Sequence, residues 1–175
     1  MSLVLGIDPG PVHSGCALVD LSGPRPYLVE YGYLTFADVR AWLAEVAADV
    51  VAVEVPDVAH GRDPNMSRAA IYSLGTNLTR TGKIAVDFAR DADARGIRSY
   101  RLTAQAWRRN VPHGRGGCGD KAVKAWLLAT VDGMVRTSNH VRDAIGVGIV
   151  GGAWARMDPG WAKKSAGAIV LRSGT

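Results

Sequence analysis

Four side chains in this sequence could act on one target together: Asp8, Glu54, His140 and Asp143. Asp8 closes the apolar run Leu3-Val4-Leu5-Gly6-Ile7, and Glu54 closes Val50-Val51-Ala52-Val53. His140 and Asp143 are three apart at the start of a helical pattern, hence on one face of it. Three carboxylates and an imidazole, with no cysteine among them, favour Mg²⁺ or Mn²⁺ over structural zinc. A pair of such cations about 3.5–4 Å apart is what phosphodiester hydrolysis demands, one for the attacking water and one for the leaving oxygen. Each residue alone has an ordinary explanation: a turn aspartate, a solvated strand end, two residues of a helix start where the dipole favours an acid. Together those explanations need four coincidences.

The elements that must position these groups can be read from the pattern of apolar residues. Leu3–Ile7 reads as a strand turned by Pro9-Gly10-Pro11, Cys16–Val19 as its return, and Tyr27–Leu34 as a third strand after Ser22-Gly23-Pro24. These three make an antiparallel meander. A helix with Phe36, Val39, Leu43 and Val46 on one face follows, then the β-branched run Val50–Val53, which suits a strand covered on both faces. Val55–Met66 reads as a loop, and a long helix should run from Ser67 to about Asp93. Arg98–Leu102 reads as a strand, with Thr103 capping a short helix that holds Trp107. A glycine-rich loop, Val111–Gly119, leads to a helix opened by Asp120 with Val123, Trp126, Leu127 and Val131 inward. Asn139, or Ser138 before it, caps a last helix reaching about Met157.

This order predicts an α/β fold: a mixed sheet with a three-strand antiparallel meander plus two parallel strands, flanked by helices. A right-handed crossover between the meander and the fourth strand would make the strands ending at Asp8 and Glu54 neighbours. Residues 1–157 form the expected domain and 158–175 a tail of uncertain structure. Trp42, Trp107, Trp126 and Cys16 read as core. His13 and His113 read as surface residues, His60 as a loop residue and Cys118 as an incidental loop thiol.

The chain has 175 residues, enough for one self-sufficient core, with 47% hydrophobic and 21% charged residues. Two cysteines cannot build a disulfide framework or a four-ligand zinc site, so reduced thiols and an intracellular, cytoplasmic setting are expected. No apolar run reaches the roughly 20 residues of a membrane helix; Ala144–Ala155 is too short and holds four glycines. The net charge is +5, but residues 95–124 alone carry +7, leaving −2 for the rest. One basic stretch on a slightly acidic body points to a polyanion, most often nucleic acid, with a solvated basic surface as the plain alternative.

Taken together, Gly6-Ile7-Asp8-Pro9-Gly10 followed by Ser14-Gly15, Val53-Glu54 closing its strand, and His140-Val-Arg-Asp143-Ala144 opening the last helix resemble the RuvC-type Holliday junction resolvases. The resemblance covers about residues 1–157 and implies an RNase H-like fold. It also implies a Mg²⁺-dependent endonuclease, with two ions per site, that nicks branched DNA, four-way junctions above all, in recombination and repair; paired nicks on symmetric strands would call for a homodimer. By that resemblance Asp8, Glu54, His140 and Asp143 form the metal-binding tetrad; some members carry a third aspartate where His140 stands. Arg108 resembles a lysine that contacts the DNA backbone, and Lys121 a lysine near the scissile phosphate. Arg109, Arg115 and Lys124 extend the expected DNA-binding surface. The stretch Gly114–Gly119 with Asp120-Lys121 is not a Walker loop, because Asp120 and Ala122 stand where glycine and Ser/Thr are needed. One departure matters: Val55–Met66 lacks the aromatic that in the family probes the junction centre, which implies relaxed substrate choice. An RNA-processing nuclease of the same fold and a non-catalytic branched-DNA binding module are the alternatives. The sequence does not reveal partner motor proteins.

Overall fold

The computed structural model describes residues 3–57, 67–112 and 118–157, with the backbone alone over 68–72. The chain runs β1 (Leu3–Asp8), β2 (His13–Asp20), β3 (Tyr27–Thr35), α1 (Phe36–Glu45), β4 (Val50–Val55), α2 (Arg68–Ala94), β5 (Arg98–Thr103), α3 (Ala104–Arg108), α4 (Asp120–Thr130) and α5 (Asn139–Arg156). The strands form one sheet in the order β3-β2-β1-β4-β5. β1, β2 and β3 pair antiparallel, while β4 and β5 run parallel to β1. The mixed sheet is therefore the one its sequence pattern predicts. The strands are longer than the apolar runs suggest: β2 begins at His13, three residues before Cys16, because ladder pairing with β3 carries on past the apolar stretch.

Alternation along each strand builds two cores. Val4, Ala17, Val19, Val50, Ala52 and Leu102 face α3, α4 and α5. Leu5, Ile7, Cys16, Leu18, Val51 and Val53 face α1 and α2, meeting Val39, Leu43, Ala85, Phe88, Ala89 and Ala92. Both faces of β1 and β4 are covered, which is why their sequences show continuous apolar runs. Thr35, Thr103 and Ser138 cap α1, α3 and α5, each accepting from a backbone N–H three residues on. Ser138, not Asn139, is the cap of the last helix.

Two glycines let α5 lie against the sheet backbone. A Cβ on Gly6 would sit 2.0 Å from the Ala144 carbonyl oxygen, and one on Gly15 would sit 2.2 Å from the His140 carbonyl oxygen. On the helix side, Gly148 packs over Gly6. The glycines of Ala144–Ala155 are thus the surface by which α5 docks. No helix among the described residues is long and apolar enough to cross a membrane. Both cysteines are free thiols, Cys16 buried and Cys118 half-buried against the core.

Candidate active site

The parallel register of β1 and β4 pairs Gly6 with Ala52 and Ile7 with Val53. One step further, Asp8 and Glu54 leave adjacent strand ends on the sheet face that α5 covers. Gly15 in β2 brings the first turn of α5 down to that edge, and His140 and Asp143 project from it. The four residues picked out by their positions in the sequence therefore meet at one end of the sheet.

Each acid is held by a separate neighbour. His140 Nδ1–H donates to Asp8 Oδ2 at 2.6 Å. The Trp107 indole N–H donates to Glu54 Oε2 at 2.7 Å, and Arg108 Nη2 donates to Asp143 Oδ2 at 2.7 Å. Arg108 also reaches Asp120 Oδ1 at 3.3 Å and lies over the Trp107 ring. As the side chains stand, no three His, Cys, Asp or Glu groups among the described residues are arranged as metal ligands.

The acids nevertheless feel one another. Burial, then repulsion from Asp8, pushes the Glu54 carboxyl up to about 8 against the pull of Trp107. Burial pushes Asp143 up to about 6, with Asp8 adding to the rise and Arg108 opposing it. The hydrogen bond to Asp8 raises the His140 imidazole above its usual range. Three mutually repelling carboxylates and one imidazole, drawn from β1, β4 and α5, fit the donor preferences of a divalent cation, which would relieve that repulsion.

These shifts have a measurable consequence for stability. Glu54 and Asp143 hold protons more tightly in the folded chain than in the unfolded one, so folding takes up protons across about pH 4 to 8. Their raised values therefore make stability fall as pH rises through that window, and His140 acts in the same direction. In chelator, the melting temperature should drop between about pH 6 and 8, and Glu54→Gln should flatten that drop. Millimolar Mn²⁺ should restore the wild type near pH 8. Thermal melts that show no such difference between wild type and variant would mean the carboxylates are not crowded.

The other predicted residues divide. Arg108 lies inside the cluster, engaged by Asp143 and Asp120, rather than on an open surface. Arg109, Lys121 and Lys124 are exposed. Lys124 borders a cavity of about 460 Å³ with Leu128, Met134, Val135, Arg136, Thr137 and Arg142. Arg115, His60, His113, most of the Val55–Met66 loop and the tail lie outside the described residues.

Two features escape sequence reasoning. Trp107 is core as expected, yet it also holds Glu54; β5 delivers it there because Glu54 pairs with Leu102 and the chain enters α3 directly afterwards. His13 is not a plain surface residue, since its ring stacks on Tyr33, which in turn stacks on His140.

Comparison with solved structures places this architecture. T. thermophilus RuvC in complex with a Holliday junction substrate matches at TM-score 0.59 and 19% identity, over 90% of this chain and 96% of that one. T. thermophilus RuvC also matches in a second structure, at TM-score 0.63 and 18% identity, over 89% and 96%. The Fowlpox virus resolvase, in complex with its substrate Holliday junction DNA, matches at TM-score 0.50 and 11% identity, over 84% and 96%. No protein-family model matches the chain, and no curated protein does either. The chain has the RuvC-type, RNase H-like fold.

Proposed function

We propose that the protein is a metal-dependent, structure-selective endonuclease that nicks branched DNA, with the four-way junction as its leading substrate. The observation that carries this reading is the convergence of Asp8, Glu54, His140 and Asp143 on one end of a RuvC-type sheet. Similar structures of T. thermophilus RuvC and the Fowlpox virus resolvase, each with a Holliday junction, support the substrate class.

Asp8 and Asp143 would hold one or two Mg²⁺ ions, Glu54 would join them, and His140 would complete the set or take the proton of the attacking water. When bound, the cations supply charge stabilisation to the attacking and leaving oxygens. Trp107 fixes the Glu54 carboxylate and Arg108 holds Asp143, so Asp143 would have to exchange that bond to hold a cation. Lys121, exposed in the first turn of α4, would neutralise the phosphate, with Arg109 and Lys124 along the strand.

The test is a matched series of four-way junction, fork, flap, linear duplex and structured RNA, each with Mg²⁺ or chelator. The junction should be cut best and other branches measurably. An aromatic stacked on an exposed base gives about 1–3 kcal/mol, roughly a five- to hundred-fold preference, and residues 55–66 carry no Phe, Tyr or Trp, leaving only Val58 or a stacking His60 to replace part of it. Cleavage of RNA alone, or none with any divalent cation, would refute the reading.

Paired nicks on symmetric strands call for a two-fold dimer. Ahead of Ala85, where α2 becomes buried, the helix carries Leu74 and Leu78 only half-buried, with Ile71 a turn earlier. That segment is the proposed interface. Light scattering at micromolar concentration should give twice the chain mass; a monomer with and without junction would remove the paired-nick mechanism.

A further inference from the structure

We propose that Tyr33 is a positioning residue of the active site, which fixes the plane of the His140 ring with His13 supporting it from behind. The inference rests on the nuclease reading for its functional consequence, but not for its geometry. Tyr33 and His140 stack with ring centroids 5.5 Å apart and planes 17° from parallel. His13 and Tyr33 stack at 5.2 Å and 25°. Both spacings fall in the range of attractive offset ring contacts.

The sequence builds this row from three elements. In the β2–β3 ladder Gly15 lies opposite Tyr33, and His13 sits two residues before Gly15, so His13, Gly15 and Tyr33 share one face of the sheet. That is the face α5 covers. Gly15 has no side chain, and the His140 carbonyl occupies the space a Cβ would take. The start of α5 thus descends beside β3, and its first imidazole comes to rest along the Tyr33 ring.

An imidazole fixed only by the bond from Nδ1 to Asp8 could still swing about that bond. The stack removes this freedom by setting the ring plane, so that Nε2 keeps one direction whether it ligates a cation or takes a proton. Tyr33 is 51% exposed although it makes both ring contacts. Its place at the open edge, beside a site residue and away from the main core, is better explained by holding His140 than by stabilising the fold.

The ring is what matters, so Tyr33→Phe should behave as wild type and Tyr33→Leu should not. Two readouts separate the possibilities. The first is the NMR shift of the His140 ring C–H protons in the DNA-free protein, assigned by comparison with His140→Gln. Tyr33→Leu should remove the ring-current shift that stacking imposes, and Tyr33→Phe should keep it. The second is single-turnover cleavage of a four-way junction alongside junction affinity. Tyr33→Leu should lower the cleavage rate about tenfold, the size of one good ring contact, with affinity within about twofold of wild type. An unchanged ring shift in Tyr33→Leu would overturn the proposal. So would weakened affinity at an unchanged rate, which would make Tyr33 a contact for a nucleobase instead. A wild type that cuts no branched nucleic acid would refute the nuclease reading, leaving the ring shift to decide the stack.

Discussion

Asp8→Asn and Glu54→Gln should each reduce cleavage by roughly a thousandfold or more while leaving junction binding intact or tighter. Asp8 is nearly buried at the end of β1, and Glu54 follows the last β1–β4 pair given by the register. Neither substitution changes side-chain volume appreciably, and neither residue lies in the middle of an apolar core. What each removes is a carboxyl group from a crowded cluster, in which burial and Asp8 push Glu54 itself up to about 8. Losing it would weaken the hold on the proposed cations, and it adds no charge that would repel the incoming phosphate. Cleavage should therefore fall while affinity holds or rises, which a general loss of structure cannot produce. Full activity of either variant in Mg²⁺ would refute the assignment.

The second large effect should come from residues with no side chain. Gly15→Ala places a methyl 2.2 Å from the His140 carbonyl oxygen and 2.7 Å from the Val141 nitrogen. Gly6→Ala places one 2.0 Å from the Ala144 carbonyl oxygen. Both obstacles are backbone, which cannot turn aside as a flexible side chain would. The helix must lift, and the overpacking should cost about 3 kcal/mol, or some 6–12 °C in melting temperature for a chain of this size. Lifting α5 also draws His140 and Asp143 away from Asp8 and Glu54. Gly15→Ala should therefore lose at least about tenfold in cleavage even at temperatures where it stays folded. Melting curves and rates equal to wild type would show that α5 does not dock through this contact.

The strand order and the four cluster residues were legible because both follow from local pattern. Apolar runs that end in an acid mark strand ends, and three-residue spacing in a helix marks a shared face. The meander and crossover then bring β1 beside β4. What could not be read depends on contacts between distant parts of the chain. Trp107 has the spacing of a core tryptophan and is one; nothing local says that its indole N–H finds Glu54, 53 residues earlier. Arg108 reads as one more cation in a basic stretch, whereas Asp143 and Asp120 draw it into the cluster. The glycines of α5 are visible as a reason the helix is not a membrane span. Their use as a docking surface emerges only when Gly6 and Gly15 lie opposite. Tyr33 shows the alternation of a strand, but its stacking partner is more than 100 residues away.

The most direct measurement of the central claim is the location of Mn²⁺ by anomalous diffraction from crystals of the protein soaked in the ion. The account predicts Mn²⁺ bound among Asp8, Glu54, His140 and Asp143, with the Arg108 contact to Asp143 lengthened or broken. No anomalous peak at these side chains at millimolar Mn²⁺, or ions bound only elsewhere, would contradict it.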